Sequence, residues 1–158
     1  MAPLLFAAKP FLGKAVLIFG QIFEENGLNT KTEADMDTNI LLVDDNEDLL
    51  KITQIILKSN GYNVDVASTI EDAEQKIIVQ QPSLVMLDVN ICQEDGRGFC
   101  NKLKQQKETH NIKVILMSGN EYSQAEWNGA DDFLQKPFEY TELLEKVQKQ
   151  LTNSEVTA

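Results

Sequence analysis

The chain has 158 residues, room for one domain with its own core and too few for a second globular domain of ordinary size. A formal charge of -11 leaves none of the Lys and Arg excess that phosphate contacts need, so direct nucleic-acid binding is not expected and protein or cation partners are. Two cysteines, Cys92 and Cys100, lack a CxxC pair and a His at ligand spacing, which excludes a disulfide scaffold and a zinc site and fits a reducing cytoplasm.

From Pro3 to Phe23 the chain is strongly apolar, but Lys9, Pro10, Gly13, Lys14 and Gln21 interrupt the run and make a poor spanning helix. It is a weak signal peptide as well, with no basic region ahead of it and no Ala-x-Ala-like site behind. Glu24 to Asn39 turns polar and reads as a linker broken at Asn26-Gly27. Residues 1–37 are therefore an apolar extension and linker, and the domain occupies 38–152. Three roles stay open for the extension: a dispensable segment upstream of Met36, a helix resting on a membrane surface or a partner, and a membrane span.

Ile40-Leu41-Leu42-Val43 is a short continuous run of branched residues, as suits a strand buried on both faces of a parallel sheet. Similar runs recur at Tyr62 to Ala67, Leu84 to Leu87, Val114 to Met117 and, more weakly, Asp132 to Leu134. Between them apolar residues follow helical spacing: Leu49, Ile52 and Ile56, then Ala73 and Ile77, then Phe99 and Leu103. Gly61 predicts a C-cap for the first helix, Ser68 or Thr69 an N-cap for the second, and Pro82 its stop. A closing amphipathic helix sets Tyr140, Leu143, Leu144, Val147 and Leu151 on one face and Glu142, Glu145, Lys146 and Lys149 on the other. Five β-α units need right-handed crossovers and a parallel sheet covered on both sides. The expected fold class is α/β, a doubly wound five-stranded parallel sheet with five helices, flavodoxin-like, in strand order 2-1-3-4-5.

In such a fold ligands bind beyond the carboxyl ends of the strands. Asp44 and Asp45 end the first strand, Asp88 the third, Ser118 the fourth and Lys136 the fifth. Singly, each has a plain explanation: helix N-terminus for the acidic pair, turn residues for Asp88 and Ser118, a solvated lysine for Lys136. All five at successive strand ends point to one site. Three converging carboxylates repel one another and call for a hard, oxygen-ligated cation, and Mg2+ accepts one or two carboxylates and a phosphoryl oxygen. Lys136 and the Ser118 hydroxyl are then placed to hold the other phosphoryl oxygens.

The stretches Ile40-Leu-Leu-Val-Asp-Asp-Asn46, Leu84-Val-Met-Leu-Asp88, Asp95-Gly96, Leu116-Met-Ser118-Gly119 and Gly129-Ala-Asp-Asp-Phe-Leu-Gln-Lys-Pro-Phe138 together resemble the receiver domain of two-component response regulators, over about Thr38 to Leu151. The resemblance implies a single-domain response regulator of the cytoplasm. Asp88 would accept a phosphoryl group from a histidine kinase or phosphotransfer protein, with Ser118 and Lys136 assisting. Asp44, Asp45, Asp88 and the Asn90 backbone carbonyl would hold Mg2+. Ser118 and Phe133 would form the switch, and the Lys136-Pro137 bond would be cis, an isomer that costs little only before proline. Output would pass to an unidentified downstream protein without direct nucleic-acid contact, and dimerisation stays open. Catalysis would not go beyond self-phosphorylation from small donors and autodephosphorylation. Two departures from the family pattern stand out: a spacing from Ser118 to Lys136 that predicts a stubby fourth helix, and Cys92 where many relatives carry proline, which predicts a more mobile loop.

His110 lies in the polar stretch Lys107 to Asn111 and reads as a solvated loop residue. A redox role for Cys92 is disfavoured, because neighbouring carboxylates raise a thiol's pKa. Tyr122 and Trp127 are either ordinary packing or anchors for a partner. Competing functions are an aspartate-nucleophile phosphatase or phosphotransferase on a related α/β fold, and a flavin-binding protein. Asp44-Asp45-Asn46 lacks the Asp-x-Asp spacing of the first, and no Gly/Ser-rich phosphate loop follows Val43 for the second. A chain begun at Met36 is expected to give cooperative thermal unfolding followed by circular dichroism. A chain that stays unfolded when begun there would show the extension to be part of the domain.

Overall fold

The computed structural model describes residues 39–152. The apolar extension, the linker and the Met36 start lie outside the described residues. In chain order the elements are β1 (Asn39–Val43), α1 (Glu47–Ser59), β2 (Asn63–Ala67), α2 (Ile70–Gln80), β3 (Leu84–Asp88), β4 (Asn90–Ile91), β5 (Glu94–Asp95), α3 (Gly96–Gln105), β6 (Lys113–Ser118), a 3-10 turn (Gln124–Glu126), β7 (Asp132–Gln135) and α4 (Tyr140–Thr152). Five strands pair in parallel in the order β2-β1-β3-β6-β7, the flavodoxin-like order expected from the strand–helix alternation. The short β4 and β5 form a separate antiparallel hairpin that the apolar pattern does not announce.

Side-chain alternation along the strands divides the core in two. Leu41, Val43, Val85, Leu87, Val114 and Leu116 face Ala73 and Ile77 of α2 and Phe99, Cys100 and Leu103 of α3. Ile40, Leu42, Leu84, Met86, Ile115, Met117 and Leu134 face Leu50 and Leu57 of α1 and Leu143 and Val147 of α4. β3 is buried along its whole length, which is why its sequence is an unbroken apolar run.

Caps follow the expected chemistry. Asn46 caps α1, its side chain accepting from the Leu49 N–H at 3.1 Å, and Thr69 caps α2 through the Asp72 N–H at 3.1 Å. Gly61 turns the chain out of α1 at φ 82, and α2 ends one residue before Gln81, which takes a left-handed conformation ahead of Pro82. Because Asn46 does the capping, neither Asp44 nor Asp45 is consumed as a helix cap.

Three expectations need correction. Four α-helices form among the described residues where five were expected, since the stretch between Ser118 and Asp132 makes only the 3-10 turn. That stretch closes on Ser123, whose N–H and hydroxyl both bond Glu126, and Asn128 (φ 50) and Gly129 (φ 88) then reverse the chain. In α1 the buried stripe is Leu50, Thr53 and Leu57, one position beyond the predicted Leu49, Ile52 and Ile56; Ile52 is 58% exposed and Ile55 64%. Apolar residues occupy two overlapping stripes of that helix, so spacing alone leaves its rotation undecided. Tyr140, expected on the inner face of α4, is 59% exposed.

Ion pairs pin the β7 end. Asp131 accepts from Lys104 of α3 at 2.6 Å and from the Val114 N–H at 2.8 Å. Asp132 accepts from Lys146 of α4 at 2.9 Å and from Gln150 at 3.1 Å. Burial raises both carboxyl pKa values, and these partners more than reverse it, so both lie below the ordinary 3.8. At the other edge of the site, α3 begins against β3. A Cβ on Gly96 would stand 2.1 Å from the Asp88 carbonyl oxygen, so only glycine lets the helix start there.

Replacing Leu57 by Ala is expected to cost about 3 kcal/mol in urea unfolding, and Ile55→Ala less than about 1 kcal/mol, which reads the rotation of α1 directly. In the same assay Gly96→Ala should destabilise by about 1–3 kcal/mol. Gly98→Ala, in a helix with nothing within 4 Å of its added Cβ, should stabilise by roughly 0.5–1 kcal/mol.

Candidate functional site

The carboxyl ends of β1 and β3 lie side by side, Val43 level with Leu87, at the point where the chain switches direction across the sheet. Asp44 follows Val43 and Asp88 ends β3, so two carboxylates from distant stretches of sequence arrive together. One oxygen from each of Asp44, Asp45 and Asp88 lies within 4.8 Å of the others. Asp44 and Asp88 are buried, and Asp45 is exposed. The parallel ladder continues from Asp88 to Met117, and from the next residue, Ser118, to Gln135, which sets Lys136 at the mouth of the same cleft.

Lys136 bridges the acids. Its ammonium donates to Asp44 Oδ2 at 2.5 Å and lies 3.3 Å from Asp88 Oδ1. The other oxygen of Asp44 accepts from the Asn46 N–H at 2.8 Å. Burial pushes the Asp88 carboxyl above the ordinary range; Lys136 opposes this, and the Asp44 charge reinforces it. Three carboxylates facing one ammonium leave an excess of negative charge, and every side-chain ligand on offer is a hard oxygen. Such a donor set suits Mg2+ and suits soft-ligand metals poorly.

The other residues singled out from sequence fall around this centre. Ser118 is buried, and its hydroxyl oxygen accepts from the Asn120 N–H at 3.1 Å. Asn90 lies in β4 opposite Asp95, and its backbone N–H favours the charged form of the Asp88 carboxyl. The Lys136-Pro137 bond is cis, as expected. Phe133 is half-buried between two rings, stacked on Trp127 at 5.9 Å and 17° and met edge-on by Tyr122 at 6.2 Å and 78°. Tyr122 in turn lies under the Arg97 guanidinium at 4.6 Å, so Tyr122 and Trp127 are part of the packing around Phe133. His110 is exposed in the turn before β6, remote in sequence and setting from the acids. Cys100 is buried, which pushes its thiol up to about 11.

Two participants were not legible in the sequence. Cys92 sits in the turn of the β4–β5 hairpin, and its backbone N–H donates to Asp45 Oδ2 at 2.9 Å. Gly96 donates its N–H to the Val89 carbonyl at 2.7 Å and packs on the Asp88 backbone, fixing the loop that carries the acid. Both act through the backbone, which residue type does not report.

Comparisons with known proteins bear on the family and the fold. The family model described as the response regulator receiver domain matches residues 40–148. The alkaline phosphatase synthesis transcriptional regulatory protein PhoP of Bacillus subtilis is 35% identical over 125 residues, covering 78% of this chain and 52% of its own. Among solved structures, a CheY-like response regulator receiver domain protein of Methanospirillum hungatei shares 28% identity with a TM-score of 0.70, covering 77% of this chain and 98% of that one. The chemotaxis protein CheY4 of Vibrio cholerae, at 22% identity and a TM-score of 0.66, covers 71% of this chain and 97% of its own and shares the fold. The chain spans about half the length of the curated relatives it matches. Among the described residues no helix is long and apolar enough to cross a membrane. With the sheet order, the acidic cluster and the family match in agreement, this chain belongs to the response regulator receiver domain family of two-component signalling.

Proposed function

We propose that Asp88 accepts a phosphoryl group from a histidine kinase or phosphotransfer protein, and that the phosphorylated domain, residues 38–152, signals by changing which protein it binds. The observation that carries this reading is the meeting of Asp44, Asp45 and Asp88 within 4.8 Å, with Lys136 reaching both Asp44 and Asp88. An Asp88 carboxylate oxygen attacks phosphorus in line with the P–N bond of a phosphohistidine. The P–O bond forms as the P–N bond breaks, and the electron pair leaves on the imidazole nitrogen, whose ring carries its proton on the other nitrogen. Asp44, Asp45, Asp88 and the Asn90 carbonyl would hold Mg2+, which when bound offsets charge on the phosphoryl oxygens.

The chain's own groups position the rest. Lys136 keeps Asp44 and Asp88 apart in charge while close in space, and is free to shift its hydrogen bond to an incoming phosphoryl oxygen. The Ser118 hydroxyl, now an acceptor for Asn120, turns to donate to another oxygen. Phe133, on the adjoining strand, moves with it and disturbs its stack on Trp127. The phosphoryl group shifts the population only as far as it prefers the rearranged state. The net charge of -11 favours protein partners.

Incubation with a small acyl phosphate and Mg2+ is expected to add the mass of one phosphate to the wild type, and none to Asp88→Asn or to wild type kept in chelator. A phosphate retained by Asp88→Asn would overturn the assignment.

A further inference from the structure

β2 is an outer strand of the sheet: β1 lies on one side of it, and among the described residues no strand lies on the other. The Ala67 carbonyl accepts from the Asp44 N–H on the β1 side at 3.1 Å, and backbone groups alternate sides along a strand, so those of Val64 and Val66 point outward. Such an edge is a template on which a strand of another chain can pair. Here side chains occupy it. Gln54 of α1 donates its Nε2 to the Val64 carbonyl at 3.1 Å, and Lys76 of α2 donates its Nζ to the Val66 carbonyl at 2.5 Å. The Val66 N–H is taken by Asp65 Oδ1 at 2.8 Å.

The blocking groups are themselves held. Lys76 also bonds Asp72 Oδ2 at 2.9 Å and lies 3.9 Å from Asp65 Oδ1, and Gln80 donates to Asp65 Oδ2 at 2.7 Å. α1 and α2 pack on opposite faces of the sheet, so these side chains reach the edge from both layers. Between the two helices runs an open groove of about 270 Å³, floored by Val66 and Ser68 and flanked by Glu47, Lys51 and Asp72. A strand entering it must displace the Lys76 ammonium from the Val66 carbonyl and its acids, and Gln54 from the Val64 carbonyl, before its own amides can bond there.

We infer that Gln54 and Lys76 are edge guards: by occupying the outward carbonyls of Val64 and Val66 they close β2 to a strand from a second copy of this chain. The strand needs closing, because Val64 and Val66 favour extended backbone, β2 carries no proline, and its one charge, Asp65, is drawn in by Gln80 and Lys76. The guards act through hydrogen bonds and not through the charge of the whole chain. Loss of Lys76 takes the net charge from -11 to -12 and adds to the repulsion between copies, so association gained in spite of it comes from the opened edge.

The test is sedimentation velocity of the full chain over a dilution series, without phosphodonor. Gln54→Ala combined with Lys76→Ala is expected to self-associate about tenfold more tightly than wild type, with the Val64 and Val66 amides more protected from hydrogen exchange in the associated form. Lys51→Ala removes a lysine from the same groove but frees neither carbonyl, and should sediment as wild type does. A folded double variant that associates no more tightly than wild type overturns the guard role, as does association that leaves those two amides exchanging at the wild-type rate. So does a Lys51→Ala that associates as strongly as the double variant. Should the double variant fail to fold, Lys76→Ala alone decides: freeing the Val66 carbonyl should still tighten association, and sedimentation equal to that of wild type sinks the inference.

Discussion

Mutual repulsion among Asp44, Asp45 and Asp88 is the constraint around which the domain is arranged. Unit charges about 4 Å apart near a protein surface interact by on the order of 4 kcal/mol, comparable to a large part of a domain's net stability. The fold meets this with a single ammonium and a set of backbone N–H groups. Lys136 spans Asp44 and Asp88, and Asn46 and Cys92 donate backbone N–H groups to Asp44 and Asp45. In the function proposed above, a cation and the phosphoryl group supply the remaining compensation. Receiver-domain function thus grows from an electrostatic deficit that the fold tolerates because the rest of the molecule is well packed.

That packing is what brings the acids together. A parallel sheet aligns strand ends, so residues ending β1 and β3 become neighbours once Val43 and Leu87 are in register. Apolar strands buried on both sides hold the register, because a slip by one residue would turn each inward face outward. Gly96 adds a local condition. Its missing Cβ allows α3 to start against the Asp88 carbonyl, so helix and acid share one fixed geometry.

On the far side of the sheet from α1 and α4, the short 3-10 turn replaces a full helix and leaves Phe133 covered by Trp127 and Tyr122. A stacked ring pair contributes roughly 0.5–1.5 kcal/mol beyond its buried area, small enough for the rearrangement proposed above to overcome. Arg97 ties this aromatic group back to the acidic loop, since the guanidinium that lies on Tyr122 also pairs with Asp95 at 2.7 Å.

The sequence by itself determined the strand–helix alternation and the acids and lysine at the strand ends, because these follow from side-chain periodicity and from residue types with one dominant use; the cis bond before Pro137 was implied by the family resemblance, and the strand order by the fold that five β-α units favour. Thr69 and Gly61 took their capping places for the same reason. Only the tertiary structure decided the rotation of α1, where apolar residues on two overlapping stripes left Leu50, Thr53 and Leu57 no more eligible than Leu49, Ile52 and Ile56. It also decided the replacement of the fourth helix by one 3-10 turn, and the two contacts that fix the acids from behind, the Cys92 N–H on Asp45 and the close approach of Gly96 to Asp88. Those last contacts are made by backbone atoms, which every residue but proline carries alike, so their partners are set by where the folded chain places them and not by any letter in the sequence.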